Sequence, residues 1–304
     1  MKSGRRVYIN GELFPEAEAK ISVFDSCVLI GDAIQEVTRT FRHKLFRWDD
    51  HRDRFYRSVK AARLAFEMPP EELDRVTQEF LECNLHTLAE NEEGGVGHLA
   101  SRGVMGLVLP PTRTSFVMYF FPLTNGQRKT AHYYNVGRHV VTPPTRHSHP
   151  LTLDPKIKYR SRLHFSIADA EARLVDPEAI PLMLDLDGNL AEGTGWNFFL
   201  VRNGELLTPS GRNILAGISR KTTLELARKH GLPAFERDLQ PYDALTADEA
   251  FITATSLCLM PVTRFNGEPV GNGKPGPVTR QLMSWWKEYL NFDFEAQAKQ
   301  FLGM

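Results

Sequence analysis

Three dipeptides constrain this chain more than any other feature: Asn10-Gly11, Asp187-Gly188 and Asn203-Gly204 each stand between strand-like apolar runs. Asn-Gly and Asp-Gly accept positive φ at both central positions of a type I′ turn, so each joins adjacent antiparallel strands. Residues 7–14 therefore read as a hairpin, and 182–186, 196–201 and 206–207 as strands of a second sheet, with a short strand at 250–253. A further strand pair covers 34–46, and the apolar run 115–123 reads as a buried strand.

Helical signals are interleaved with these strands. Asp49 and Asp50 offer N-cap oxygens to a helix running to about Phe66. Pro69-Pro70 opens another, with Leu73, Val76, Phe80 and Leu81 on one face, and the tract Asn91-Glu-Glu-Gly-Gly95 closes that unit. Later helices are expected at 160–174, at 218–230 with Gly231 at C′, and at 277–290. Antiparallel strands mixed with helices point to α+β rather than a doubly wound sheet. No Gly-x-Gly-x-x-Gly follows a strand, and there is no Walker loop. The 304 residues divide into a small α/β domain at 1–124, a linker at 125–154 containing Pro143-Pro144 and Arg146-His-Ser-His149, and a larger domain at 155–304.

Composition narrows the partners. Lysine plus arginine and aspartate plus glutamate both number 37, so nothing favours nucleic acid or an anionic membrane, and a small molecule is the expected partner. Cys27, Cys83 and Cys258 are odd in number and lack ligand spacing, so neither a disulfide framework nor a metal site is expected. With no signal core and no apolar run of membrane length, a soluble cytoplasmic protein is expected.

Five segments could carry chemistry. Lys158, in Asp154-Pro-Lys-Ile-Lys-Tyr-Arg-Ser-Arg162, is a candidate amine nucleophile; a solvated basic cluster is the ordinary alternative. In Ala191-Glu-Gly-Thr-Gly-Trp-Asn197, Glu192 is placed to hold a proton on a ring nitrogen, with Gly193 and Gly195 allowing close backbone approach; a polar hairpin loop is the alternative. In Ile214-Leu-Ala-Gly-Ile-Ser-Arg-Lys221, Gly217 and Ser219 at a helix start suggest an anion site, or an ordinary N-cap serine. Thr253-Ala-Thr-Ser256 ends a strand with small hydroxyls. Arg54 is a phosphate-matching fork, or a surface partner for Asp50 at i,i+4.

The order of these segments resembles the class IV, fold-type IV pyridoxal-phosphate enzymes, which include branched-chain and D-amino-acid aminotransferases, (R)-amine transaminases and aminodeoxychorismate lyase. Asp187-Gly-Asn-Leu-Ala-Glu-Gly-Thr-Gly-Trp-Asn197 is similar to the family's glutamate loop, and Leu215-Ala-Gly-Ile-Ser-Arg220 to its Leu-x-Gly-Ile-Thr-Arg. Arg54 sits in a stretch similar to Phe-Arg-x-x-x-His-x-x-Arg-Leu, with Phe55 replacing leucine. The resemblance implies a small N-terminal domain, a larger barrel-like domain, pyridoxal 5′-phosphate as cofactor, and a homodimer with a shared site. By position it implies Lys158 as the catalytic lysine, with Lys156 the lesser candidate, and Glu192 facing the pyridine nitrogen. Leu215 would pack on the ring, and Arg54, Ile218, Ser219 and Thr255 would hold the phosphate. The amides of Thr255 and Ser256 would meet a substrate carboxylate.

The substrate pocket departs from the better-known branches. Ile30 and Gln35 stand where branched-chain enzymes carry tyrosine and phenylalanine, and Leu163 stands where they carry a tyrosine five residues beyond the lysine. Leu45-Phe-Arg-Trp-Asp-Asp-His51 and Ser101-Arg-Gly103 are closer to the amine-transaminase branch. A branched-chain or hydrophobic amino acid is the expected donor, with D-amino acids, (R)-amines or a lyase reaction as alternatives. Arg39 or Arg113, the latter in a loop from Val104, is expected to bind a dicarboxylate acceptor.

Overall fold

A computed structural model describes residues 4–105 and 113–302 and divides into two compact units. The first comprises residues up to Asn125 together with Ile157–Ser161; the second comprises Gly126–Lys156 and the chain from Arg162.

The first unit contains β1 (Arg6–Ile9), β2 (Glu12–Pro15), α1 (Ser26–Leu29), β3 (Ala33–Phe41), β4 (Lys44–Leu45), α2 (Trp48–Ala61), α3 (Pro70–Leu85), β5 (Gly94–Ser101) and β6 (Ser115–Pro122). Its sheet runs β2-β1-β6-β5-β3-β4, antiparallel throughout. The β1–β2 hairpin turns at Asn10-Gly11, both at positive φ, as the dipeptide requires. The β3–β4 turn uses Arg42 and His43 at positive φ without any glycine. Glu93 offsets that strain by accepting from both turn amides, at 2.6 and 3.3 Å.

On α3, Leu73, Val76, Phe80 and Leu81 are buried on one face, as their spacing predicts. They join Ile34, Phe55 and Met118 in a single core. The start of α2 differs from the expectation. Its N-cap is Arg47 in the left-handed region, Asp49 and Asp50 lie in the first turn, and the helix ends at Ala61 because Arg63 turns to φ 54°. β5 was hidden by its own glycines. An added Cβ at Gly94, Gly95 or Gly97 would fall within 2.5 Å of the Phe120, Phe121 or Tyr119 ring, so the strand packs only if those positions stay bare.

His98 on β5 is fully buried, stacked on Trp48 at 4.9 Å and hydrogen-bonded to Thr77 at 3.0 Å. Burial pushes its imidazole down to about 3, so it folds neutral. The unfolded chain binds a proton here below the ordinary imidazole value of 6.5 that the folded chain refuses until about 3. Stability therefore falls as pH drops through that window, by about 2 kcal/mol at pH 5 from this group. Calorimetric melts of wild type and His98→Phe between pH 7 and 5 should show the variant losing about one proton's worth of that slope.

The second unit contains most of α4 (Thr124–Thr130), then α5 (Tyr133–Val136), β7 (Arg138–Val141), α6 (Leu163–Val175), β8 (Ile180–Leu184), β9 (Leu190–Gly193), β10 (Trp196–Arg202), β11 (Glu205–Pro209), α7 (Ile218–Lys229), β12 (Ala234–Arg237), α8 (Pro241–Leu245), β13 (Glu249–Ala254), β14 (Cys258–Phe265), β15 (Glu268–Pro269), α9 (Pro277–Leu290) and α10 (Phe294–Lys299). Its sheet runs β12-β11-β10-β13-β14-β7-β8-β9, and β9 pairs back onto β10. That pairing closes six strands into a barrel, in keeping with the α+β, fold-type IV expectation.

The segment 125–154, expected as a linker, is instead structured. It carries α5 and β7, and β7 lies parallel to both β14 and β8 inside the barrel sheet. Its Pro-Pro and polar tract hid a four-residue strand, Arg138–Val141, that is too short to show a period. The next boundary also moves. Residues 157–161 pair with β3, which delays the start of α6 to Leu163. No helix among the described residues is long and apolar enough to cross a membrane.

Candidate active site

In the first unit, Lys158 is fixed by its backbone. Gln35 N donates to Lys158 O at 2.8 Å, Arg160 N to Ala33 O at 2.7 Å, and Lys158 N to Ser58 Oγ at 3.1 Å. These bonds flank an antiparallel bridge between Ile34 and Tyr159. Tyr159 is buried on Ile34's side, so strand alternation puts Lys158 and Arg160 on the Gln35 face. Lys158 is half-buried there. Lys156, by contrast, is exposed and paired with Asp154 at 2.9 Å.

Arg54 lies one helical turn before Ser58 on α2. Its Nε and Nη2 clamp the two oxygens of Glu36 at 2.8 and 2.6 Å, and His51 Nδ1 reaches the same carboxylate at 2.9 Å. It is thus a buried fork rather than a surface partner of Asp50, which pairs with Arg47. Burial would raise the Glu36 carboxyl, but Arg54 and His51 outweigh it and hold Glu36 well below the usual carboxylate range.

The remaining first-unit candidates separate. Ile30, the C-cap of α1, is exposed, and Gln35 is buried with its Oε1 accepting from Arg160 Nη1 at 2.6 Å. Arg39 is 2% exposed, with its Nε on Thr40 O and its guanidinium 4.0 Å over the Phe41 ring, so it is not presented to a substrate. Arg113 lines a different cavity of about 510 Å³ with Tyr8, Arg63, Phe66 and Arg102, and neither Lys158 nor Gln35 is part of that lining. Residues 106–112 of the loop expected to carry a basic tip lie outside the described residues.

In the second unit the buried Glu192 is the organising group. Oε1 accepts from His147 Nε2 at 2.9 Å and from Leu215 N at 3.1 Å, and Oε2 accepts from Asn197 Nδ2 at 2.9 Å. A carboxylate offers about four lone-pair positions, so these bonds leave one on Oε2. The imidazole nitrogen facing the carboxylate carries the proton, since the carboxylate has none to give. Burial, reinforced by the neighbouring His147 and Arg162 charges, pushes His164 down to about 4.

The local chain explains this geometry. Gly193 leaves room for the Trp196 ring, and Gly195 turns at φ 130° between β9 and β10. Thr194 anchors the turn, its carbonyl accepting from Arg162 Nη2 and its hydroxyl donating to Asp169. A Cβ on Gly217 would come within 1.9 Å of Asn197 Oδ1. Gly217→Ala should therefore displace Asn197 from Glu192, weakening cofactor retention about tenfold or more in an equilibrium titration of the apoprotein.

Gly217, rather than Ser219, is the N-cap of α7. Lys221 N makes the first helical bond, onto Gly217 O, so the amides of Ile218, Ser219 and Arg220 form the positive end. Arg220 itself is turned to Pro209 O and Glu236. Half-buried Thr255 and exposed Ser256 lie in the three-residue turn between β13 and β14, which Tyr134 pins through Leu257 O.

Among the described residues, the sequence reading missed His147, Asn197, Arg160 and the Glu36–His51 pair. His147 lay in the polar tract assigned to the linker. Asn197 and Arg160 lay inside the segments singled out, but carried no spacing signal of their own.

Residues 33–265 match the family Amino-transferase class IV. The chain belongs to the class IV aminotransferases. The putative branched-chain-amino-acid aminotransferase of Methanocaldococcus jannaschii is 30% identical over 289 residues, covering 93% of this chain and 96% of that protein. Branched-chain-amino-acid aminotransferase-like protein 1 of Arabidopsis thaliana is 34% identical over 284 residues and 92% of this chain, but the chain spans only 50% of that relative. The branched-chain aminotransferase of Thermobaculum terrenum, crystallised in its PLP-form, superposes with a TM-score of 0.83 at 25% identity, covering 97% of this chain and 96% of that one.

The cofactor of class IV aminotransferases is pyridoxal 5′-phosphate. It requires an amine, an acid for its ring nitrogen and an anion-binding group for its phosphate. The chain has each in donor chemistry that fits: half-buried Lys158, Glu192 with a lone pair left on Oε2, and the amides opening α7.

Proposed function

We propose that this protein is a transaminase that moves an amino group between a branched-chain or other hydrophobic amino acid and a 2-oxo acid, in a ping-pong sequence. The observation that carries this reading is the Glu192 carboxylate, buried among three donors with one lone-pair position to spare. The names of the archaeal and plant relatives support the choice of donor.

When bound, pyridoxal phosphate supplies an aldehyde for the amino group and a ring that delocalises charge from the substrate Cα. Lys158 Nζ would hold the cofactor and, as a neutral amine, would take the Cα proton. Glu192 accepts a charge-assisted hydrogen bond from the ring nitrogen and so keeps its proton in place. His147, Asn197 and Leu215 N hold that carboxylate in position, and the Leu215 side chain packs against the ring. The amides of Ile218 and Ser219, with Arg54 and Thr255, bind the phosphate. Gly195 and Gly217 keep the backbone close to the ligand, and Thr255 and Ser256 meet the substrate carboxylate. Ile30 and Gln35 border the side-chain pocket. The protein acts as a cytoplasmic homodimer.

Half-reactions with a panel of amino acids and amines, followed by absorbance and then by addition of a 2-oxo acid, test this reading. A hydrophobic amino acid should shift the spectrum and a 2-oxo acid should restore it. A panel with no spectral shift, or release of an elimination product without amino transfer, would contradict it.

A further inference from the structure

The cavity of about 510 Å³ in the first unit is not lined by Lys158 and takes no part in the chemistry there. Its walls come from the Asn10-Gly11 turn, the segment joining α2 to α3, and the start of β6. Its size lies within the range of small-molecule pockets, about 300–1,000 Å³. The walls are fixed by bonds made outside the cavity's own charges. Arg102 Nη1 and Nη2 donate to Arg63 O and Ala62 O at 2.9 and 2.7 Å, and its Nε donates to Asp32 at 2.7 Å. That guanidinium is thereby spent, and it holds Arg63 at the strained φ of 54°. Thr114 Oγ1 donates to Ala65 O and Tyr56 OH to Met68 O, both at 2.7 Å, so the α2–α3 segment is pinned at both ends.

Two features of the lining point to a ligand. The first is Tyr8, whose ring packs on Phe116 at 5.9 Å while Phe116 packs on Phe66 at 5.1 Å, giving an aromatic floor. Tyr8 is only 8% exposed, yet its hydroxyl has no hydrogen-bond partner among the described residues, where a buried phenol ordinarily finds one. Burial raises this hydroxyl, Glu72 raises it further, and Arg75 and Arg113 oppose the rise, so charges of both signs lie near it. The second feature is those charges. Arg63, Arg113, Glu67 and Glu72 line one cavity, and none of the four enters an ion pair among the described residues. Other arginines of this unit do find acidic partners, as Arg5, Arg47, Arg52, Arg54 and Arg102 do. Arg75, three residues beyond Glu72, is turned to Glu79 instead.

Guanidinium and carboxylate groups held apart around an apolar floor suit a ligand that brings one charge of each sign and an apolar body. A plain carboxylate would leave Glu67 and Glu72 facing a like charge, and a plain amine would do the same to Arg63 and Arg113. We propose that this cavity binds a free α-amino acid with a large apolar side chain, its carboxylate on Arg63 and Arg113, its ammonium on Glu67 and Glu72, and its side chain against Phe66 and Phe116. The Tyr8 hydroxyl donates to the same carboxylate. The site is separate from the one at Lys158, and because binding here involves no chemistry it stands whether or not the transaminase reading does.

The test is calorimetry on the cofactor-loaded protein after borohydride reduction, which stops any amine from reacting with the cofactor. The probes are phenylalanine, as each enantiomer, 3-phenylpropanoate, which lacks the ammonium, and phenethylamine, which lacks the carboxylate. At least one enantiomer of phenylalanine should bind about tenfold or more tightly than either truncated probe. Arg63→Met and Glu72→Gln should each weaken that binding about tenfold, Tyr8→Phe should weaken it several-fold, and Ala65→Trp, which fills the space, should abolish it. Arg63, Ala65 and Glu72 are exposed at the cavity mouth, so their variants should melt within a degree or two of wild type, which separates lost binding from lost folding. Phenylalanine binding that is unchanged in both Arg63→Met and Ala65→Trp would place the ligand elsewhere and overturn the proposal. So would 3-phenylpropanoate binding as tightly as phenylalanine, or no binding of phenylalanine to wild type.

Discussion

Lys158→Ala is expected to lower single-turnover amino transfer by at least about 10³-fold while leaving the melting temperature almost unchanged. The two halves of this expectation have separate physical causes. The bonds that tie this segment to β3 and α2 use Lys158 N, Lys158 O and Arg160 N, and all of these survive truncation at Cβ. In the proposed reading the lost amine would be both the point of cofactor attachment and the base for the Cα proton, and no other residue of that reading supplies either. Lys156→Ala is the matched control. That lysine is exposed and engaged with Asp154 and Arg212 O, so its removal should leave turnover within a factor of two or so. Stopped-flow absorbance on both variants measures the difference.

Glu36→Gln is expected to be the most destabilising single exchange near the site, at about 3–5 kcal/mol, because it leaves Arg54 charged in a buried place with only a neutral amide for company. For a chain of this size that corresponds to a fall in melting temperature of about 10 °C, read by scanning calorimetry. The pH dependence identifies the cause. Glu36 is held ionised well below the ordinary glutamate value of 4.5, so its contribution is complete above that value and is lost as pH falls below it. The gap between wild type and Glu36→Gln should therefore be constant from pH 7 to about 5 and shrink in more acidic buffer. A gap that widened with acid would point instead to His51, which burial holds below its ordinary value.

How far the sequence can be read is clearest from particular residues. Asn10-Gly11 and Asn203-Gly204 specified their hairpins because positive φ is a local requirement, and both positions adopt it. The apolar face of α3 and the Gly231 end of α7 were legible for the same reason, since periodicity and capping are local. What escaped was set by partners distant in the chain. β5 has glycines where a strand prefers branched residues, because rings from β6 occupy their Cβ positions. The Arg42-His43 turn lacks glycine because Glu93 accepts its amides. Residues 157–161 follow two prolines and a basic cluster, and only β3 makes them extended.

The site shows the same division. Lys158, Glu192 and the start of α7 stood out as motif-bearing segments. His147 and Asn197 carry no motif and acquire meaning only as donors to Glu192, 45 and 5 residues away. Arg39 and Arg113 looked equivalent to any other arginine until the burial of Arg39 on the Phe41 ring and the place of Arg113 in another cavity set them apart.

The most direct measurement is chemical. Borohydride reduction of the cofactor-loaded protein, followed by proteolysis and mass spectrometry of the peptides, should place the reduced pyridoxyl group on Lys158 and on no other residue. A label on Lys156, or a protein that binds pyridoxal phosphate yet yields no labelled peptide, would contradict the assignment.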